Sequence, residues 1–288
     1  MFILHGTPGS RLGPHPRSAV LHRLGVRLIS FDRPGYGGSD RLAGRRVADA
    51  AADVLAIADA YALDRFSVVG RSGGGPHALA CAALLPGRVS KAAVLVGLAP
   101  HGADGLDWFD GMAHSNVIEF TAAANGYEDI VAHTKQVAEA VRANPASLLA
   151  RLQAELPASD RRVVADHGIR SMLLETYAEA LRTSDYGWID DALAFCSPWG
   201  FDPVSVRVPV LLWHGASDVF SPASHARWLA DRIPSAAVVV QAGAAHFGAL
   251  DVLPDILRWL SAGRPEERGF HAPRDRGLAE HTRCAGGP

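Results

Sequence analysis

A single serine, Ser72, sits inside Gly70-Arg71-Ser72-Gly73-Gly74, a Gly-x-Ser-x-Gly run flanked by apolar residues 66–69 and by Pro76 with an alanine- and leucine-rich stretch after it. The apolar run predicts a short buried strand and the later stretch a helix, so the serine falls on a tight strand-to-helix turn. Such a turn strains the backbone at the serine, and its neighbours must lack side chains if the turn is to close and a substrate is to approach. The chemistry open to that serine is nucleophilic attack. The same letters also suit a serine that merely caps the helix, or a phosphate-binding loop.

A serine hydroxyl is a weak nucleophile at neutral pH and needs a base in hydrogen-bond reach, with an acid to hold that base in one tautomer. In an α/β sheet such groups belong on loops at the carboxyl ends of strands, where ligands bind. Two loops fit. A predicted strand at 208–213 runs into His214-Gly215-Ala216-Ser217-Asp218, and one at 237–241 runs into Ala242-Gly243-Ala244-Ala245-His246-Phe247-Gly248. Asp218 has a second reading as the cap of the helix that Ser221-Pro222 opens. Asp104, past a strand ending at Val96, is a substitute acid.

The elements that must position these groups alternate. Predicted strands at 2–4, 26–31, 66–69, 92–96, 208–213 and 237–241 are continuous apolar runs rather than alternating ones, which is the mark of a parallel sheet covered on both faces. Helices are predicted at 15–24, 47–61, 76–85, 223–232 and 252–260. From about 101 to 200 helical periodicity takes over, with Tyr127, Ile130, Val131, Thr134, Val137, Ala138 and Val141 at three- and four-residue spacings, and further helices at 147–156, 161–166, 169–182 and 188–195. The expected architecture is an α/β domain over residues 1–262, a mostly parallel doubly wound sheet with a helical cap inserted at about 101–200. Residues 263–288 are rich in Arg, Glu, Gly and Pro and read as a flexible tail.

The 288 residues carry a formal charge of −2 with both signs spread along the chain, which leaves no basic stripe for nucleic acid and no polybasic membrane anchor. Cys81, Cys196 and Cys284 are too few and too scattered for a disulfide framework, in keeping with a reducing cytoplasm. No apolar run approaches a membrane span and no secretory leader is evident. His-Glu-x-x-His, a Gly-x-x-x-x-Gly-Lys loop and a Rossmann Gly-x-Gly-x-x-Gly after a strand are all missing, so no cofactor and no metal are implied. A small-molecule substrate is the expected partner.

Five motifs together carry a resemblance: His-Gly-Thr-Pro-Gly at 5–9, Asp-Arg-Pro-Gly-Tyr-Gly-Gly-Ser-Asp at 32–40, the turn at 70–74, Trp-His-Gly-Ala-Ser-Asp at 213–218 and Gly-Ala-Ala-His-Phe at 243–247. The sequence resembles the α/β-hydrolase superfamily over about residues 1–262, and the order Ser72, Asp218, His246 is the order that family uses. The resemblance implies Ser72 as nucleophile, His246 as general base and then acid, and Asp218 as the orienting carboxylate. It places the oxyanion hole at the backbone N–H groups of Thr7 and Gly73, since Pro8 has none to give. His5 is expected to prop its loop, Asp32, Arg33 and Tyr36 to be architectural, and Arg71 to salt-bridge the cap or meet an acidic substrate.

The implied activity is a serine hydrolase cleaving an ester, thioester or amide through an acyl-enzyme. Relatives that open epoxides or remove halogens are known for Asp at the position of Ser72. A proline-iminopeptidase-like aminopeptidase, with Glu119, Glu128, Glu155, Glu175 or Glu179 of the cap meeting a free amine, is a second reading, and a non-catalytic small-molecule-binding homologue a third. The family's sheet usually begins with strands ahead of the oxyanion loop, whereas this sequence reaches that loop within a few residues. The expectation is that Met1 is an internal codon; the other reading is a smaller sheet whose first edge is exposed or paired in a homodimer.

Overall fold

Apolar runs buried on both faces need helices on both sides, and a computed structural model describing residues 1–262 has that arrangement. The tail assigned to 263–288 lies outside the described residues. Six strands, β1 (Phe2–Leu4), β2 (Ile29–Ser30), β3 (Phe66–Arg71), β4 (Val89–Leu95), β5 (Val210–Gly215) and β6 (Ala236–Gln241), form one sheet. Their order is β2-β1-β3-β4-β5-β6 and every pairing is parallel. Side chains alternate across it with period two. Phe2, Leu4, Val68, Val94 and Leu212 pack on α2 (Ala50–Ala60), α3 (Gly74–Leu84) and α10 (Ala223–Arg232), whereas Ile3, Val69, Leu95, Leu211 and Trp213 pack on α11 (Ala249–Ser261) and α1 (Ser18–Leu24).

All six predicted strands are present, but β6, at the sheet's edge, is half-exposed rather than covered on both faces (Val238 39% exposed), and the other differences lie at strand ends. The 26–31 run yields only the two residues of β2, because its partner β1 is itself three residues long and the ladder ends with Phe2 opposite Ile29 and Ile3 opposite Ser30. Strands β3 and β5 run two residues past their apolar runs, which brings Arg71 and His214 to the carboxyl edge of the sheet. Helix α3 begins at Gly74 rather than Pro76, and the proline sits in the first turn, where its missing N–H has no intrahelical acceptor to lose.

Between β4 and β5 come six helices: α4 (His114–Asn125), α5 (Tyr127–Ala143), α6 (Ala146–Leu152), α7 (Ala158–Ala165), α8 (His167–Ala180) and α9 (Tyr186–Cys196). Buried Ile130, Thr134, Ala138 and Val141 of α5 follow the predicted spacing. Helix α4 was not anticipated, since it buries only Phe120 and Ala123 and so lacks a readable apolar stripe. Val141, Leu148, Leu149, Leu173 and Leu181 make a second core that also takes in Tyr36, Phe220 and Phe247 from loops at the sheet's edge. These helices are therefore packed onto the loops that carry the predicted site. Among the described residues, no helix is long and apolar enough to cross a membrane.

Candidate active site

Ser72 follows the last residue of β3 and has φ +53°, a left-handed backbone that a serine adopts at a cost. Its N–H donates to Leu95 O at 2.8 Å and its carbonyl accepts from Gly75 N at 2.8 Å, which fixes the turn from both sides. The flanking glycines are needed for contact distance. A Cβ on Gly70 would lie 2.1 Å from Gly74 O, and one on Gly74 would lie 2.1 Å from Leu4 O. Gly74→Ala must therefore push α3 off β1, and is expected to destabilise the fold by about 1–3 kcal/mol or more, read as a lower urea midpoint with an unchanged slope. No side chain caps α3, so Ser72 does not serve as its cap.

Asp218 and His246, 28 residues apart in sequence, meet on the loops after β5 and β6, and His246 lines the same cavity as Ser72. His246 Nδ1 lies 2.9 Å from Asp218 Oδ2 and 3.1 Å from Oδ1. A carboxylate only accepts, so Nδ1 carries the proton and Nε2 is left as the acceptor. Phe220 and Phe247 clasp the imidazole edge-on, with ring centroids 5.5 and 5.7 Å away. Asp218 also accepts from the N–H groups of Phe220 (2.9 Å) and Ser221 (3.1 Å), while His214 Nε2 stands 3.3 Å from Oδ2. Burial pushes the Asp218 carboxyl upward, but the charge of His246 and the hydrogen bonds from His214 and His246 outweigh it and hold it well below the usual range. Helix α10 starts later, after Pro222, with no side-chain cap, so Asp218 orders its own turn and the imidazole instead.

Thr7 reaches the site on the loop after β1, and that loop is held from behind. The buried Arg33 donates from Nη1 to His5 O (2.5 Å) and from Nη2 to Gly6 O and Thr7 Oγ1 (both 3.2 Å). His5 props the same loop, with Nδ1 2.8 Å from Gly6 O and Nε2 accepting from Arg33 N at 3.2 Å. Asp191, on α9 and fully buried, is the centre of this assembly. It binds Arg33 Nη2 (2.5 Å), Arg45 Nη2 (2.7 Å), Tyr36 OH (2.8 Å) and Thr7 Oγ1 (2.5 Å), with His77 Nε2 at 3.2 Å. Desolvation would raise its carboxyl, yet Arg33, Arg45 and His77 hold it well below its ordinary value. Asp32 braces the next loop, accepting from Arg11 N at 2.7 Å. Among the described residues, neither the Thr7 N–H nor the Gly73 N–H has a hydrogen-bond acceptor, and both residues line one cavity.

That cavity, about 100 Å³, is lined by Thr7, Ser72, Gly73 and His246 from the sheet side and by Glu119, Leu148, Tyr177 and Trp188 from the inserted helices. Of the five glutamates considered, Glu119 alone lines it. Its Oε1 accepts from Trp188 Nε1 at 2.8 Å, and removal from water pushes its carboxyl up to about 7. Glu155 is engaged by Ser115, Glu179 by Arg11, and Glu128 and Glu175 are exposed. Asp104 is exposed and outside the cavity wall. Sequence reasoning did not single out Asp191. Its signal was the pair Asp190-Asp191 inside an otherwise apolar helix, matched by Arg33, Arg41 and Arg45 in an earlier loop.

A parallel doubly wound sheet, a serine on a left-handed strand-to-helix turn and a carboxylate-bound histidine at the same edge define an α/β-hydrolase architecture. The family model for the alpha/beta hydrolase fold matches residues 1–251, and the chain belongs to that family. No curated protein matches the sequence. Among solved structures it is similar to an alpha/beta hydrolase fold protein from Nakamurella multipartita (21% identity, TM-score 0.59, covering 90% of this chain and 91% of that one). The enol-lactonase of Burkholderia xenovorans (19%, 0.61, 90% and 88%) and a thermophilic esterase of Thermogutta terrifontis (20%, 0.61, 90% and 88%) are similar to the same extent.

Proposed function

We propose that the protein is a serine hydrolase acting on a carboxylic ester-type bond of a small molecule. The observation that carries this reading is Ser72 on its strained turn in the same cavity wall as an imidazole whose Nδ1 is fixed by Asp218. Ser72 Oγ attacks the carbonyl carbon while His246 Nε2 takes the hydroxyl proton. The oxyanion that forms is met by the N–H groups of Thr7 and Gly73, each such donor being worth about 10²–10³ in rate. Collapse expels the alcohol, which takes the proton back from His246, and leaves an acyl-enzyme. Water then attacks that ester with His246 again as base, releasing the acid and restoring Ser72. Esters are the easiest of the acyl donors, and the esterase and enol-lactonase that share this fold are named for bonds of this kind.

The test is a fluorophosphonate probe followed by peptide mapping. Stoichiometric adduct on Ser72 is expected; an adduct elsewhere, or equal labelling of Ser72→Ala protein, removes Ser72 from the mechanism. Glu119 supports the aminopeptidase reading, because its carboxyl faces the cavity where a free amine would lie. An ammonium needs that carboxylate ionised, so with a carboxyl near 7 the KM for aminoacyl anilides should fall as pH rises from 6 to about 7.5, and rise again once the substrate ammonium loses its proton at about 8. Turnover of p-nitrophenyl esters with no turnover of the anilides at any pH leaves the esterase reading alone.

A further inference from the structure

Three arginines are buried, and two of them, Arg33 and Arg45, share Asp191. The third, Arg71, is the last residue of β3, next to Ser72, with only 9% of its surface exposed, and no hydrogen bond or ion pair to its guanidinium occurs among the described residues. Its Nη1 is completely enclosed without an acceptor. An arginine presents five donors and keeps its charge at every physiological pH, so enclosing it unpaired is among the more costly arrangements a fold can hold. The Phe247 ring, 5.9 Å from the guanidinium carbon, offers its face but accepts none of these N–H groups.

Arg71 lines the cavity that holds Ser72 and His246, and also a smaller cavity with His5, Ser10 and Pro14. A Cβ placed on Gly6 would lie 3.4 Å from Ser72 Cβ and 3.5 Å from Arg71 Nη2, so serine and guanidinium are neighbours across that glycine. The other arginine of the wall, Arg151, already feels the opposing charge of Glu119. The carboxylates nearest Arg71 in charge, Asp160 and Asp218, are occupied or turned away. Asp218 holds His246, and Asp160 uses Oδ1 to accept from Phe247 N (2.9 Å), while its Oδ2 is buried without a partner rather than bonded to Arg71.

Resting on the hydrolase reading, we propose that Arg71 is a specificity-determining residue that receives a carboxylate of the substrate. The substrate class is then an ester or lactone bearing a free carboxylate a short chain away from the bond that is cleaved. A planar guanidinium without an ion pair suits a monoanionic carboxylate, which it can grip through two parallel hydrogen bonds from its Nε–Nη2 edge. The closeness of Arg71 to Ser72 keeps the connecting chain short.

The test compares kcat/KM for monoethyl succinate and monoethyl glutarate, with the carboxylate on the acyl side, and acetoxyacetate, with it on the alcohol side, each against its uncharged ester. The wild type is expected to prefer at least one charged ester by about tenfold or more, and Arg71→Met to cut that charged-to-neutral ratio by about 10- to 100-fold, as for loss of a hydrogen bond to a charged group. Arg71→Lys should restore part of the ratio. Succinate or glutarate should inhibit neutral-ester turnover by the wild type where succinamide does not, a measurement that needs no variant. A wild-type ratio near one, or a fall of both rates together in Arg71→Met with the ratio kept, overturns the proposal and makes Arg71 a brace between the turn and Asp160. Calorimetric binding of succinate and glutarate to Ser72→Ala protein decides the matter independently of turnover. If Ser72 is not labelled and no ester is cleaved, the hydrolase reading fails, while this binding still shows whether Arg71 takes a carboxylate.

Discussion

Ser72→Ala is expected to lower kcat for the preferred ester by at least about 10⁴-fold, with the melting temperature changed by no more than a few degrees. On the proposed mechanism the first half follows from removing the nucleophile, so that what survives is the proposed oxyanion donors and substrate positioning. The second half follows from the structure of the turn. No hydrogen bond of the Ser72 hydroxyl occurs among the described residues, and the φ of +53° is imposed by the main-chain bonds to Leu95 and Gly75, which alanine keeps. His246→Ala should cost about as much, and the double variant no more than either single one, because nucleophile and base act as a unit. Asp218→Asn should cost about 10³–10⁴, since an amide at that position favours the wrong imidazole tautomer. Single-turnover kinetics with p-nitrophenyl acetate separate these cases: a burst in Ser72→Ala, or additive losses in the double variant, would sink the assignment.

The candidate site was legible because its parts lie next to glycine-rich punctuation. Ser72, Asp218 and His246 each sit just past an apolar run, and such runs specify strands, buried in β3 and β5 and half-exposed in the edge strand β6, so the sheet's carboxyl edge could be located before any contact was known. Where strands ended was less legible. Whether Arg71 and His214 belong to strand or loop depends on hydrogen bonds to β4 and β6, which local sequence does not carry. Helix α4 was invisible for a related reason, since its partners α5 and α9 rather than its own periodicity hold it in place. Hardest of all was Asp191, whose partners are spread from Thr7 to His77, 114 to 184 residues away in sequence. The one local signal, an aspartate pair in an otherwise apolar helix, names neither partner, so the residue that holds the Thr7 loop was hidden until the arginines that pair with it could be placed.

Asp191→Ala is expected to give the largest loss of stability of any single substitution outside the sheet. The aspartate is fully buried, and its removal leaves Arg33 and Arg45, with side chains 1% and 3% exposed, facing each other without a counter-charge. Breaking a buried pair in this way costs about 3–5 kcal/mol, far more than the pair contributes when intact. Asp190→Ala is the contrast: that carboxylate is also buried, but its partner Arg41 is one-quarter exposed and can turn to water, so a smaller loss is expected. The pH dependence follows from the sign of the shift. Because Asp191 is held well below its ordinary value, its contribution is complete above the unfolded carboxylate range near pH 4 and is lost only as pH falls toward the depressed folded value. The deficit of Asp191→Ala relative to wild type should therefore be level from pH 8 to about 5 and close in stronger acid. A functional signature goes with it, since Thr7 Oγ1 and Arg33 both lose their acceptor and the loop carrying the Thr7 N–H loosens. At a temperature where Asp191→Asn is still folded, kcat should fall by about 10²-fold or less while KM changes little, as for partial loss of one oxyanion donor. Thermal melts across pH and kinetics on the folded asparagine variant measure both, and a stable variant with unaltered kcat would show that Asp191 holds the helices to the sheet without steering the chemistry.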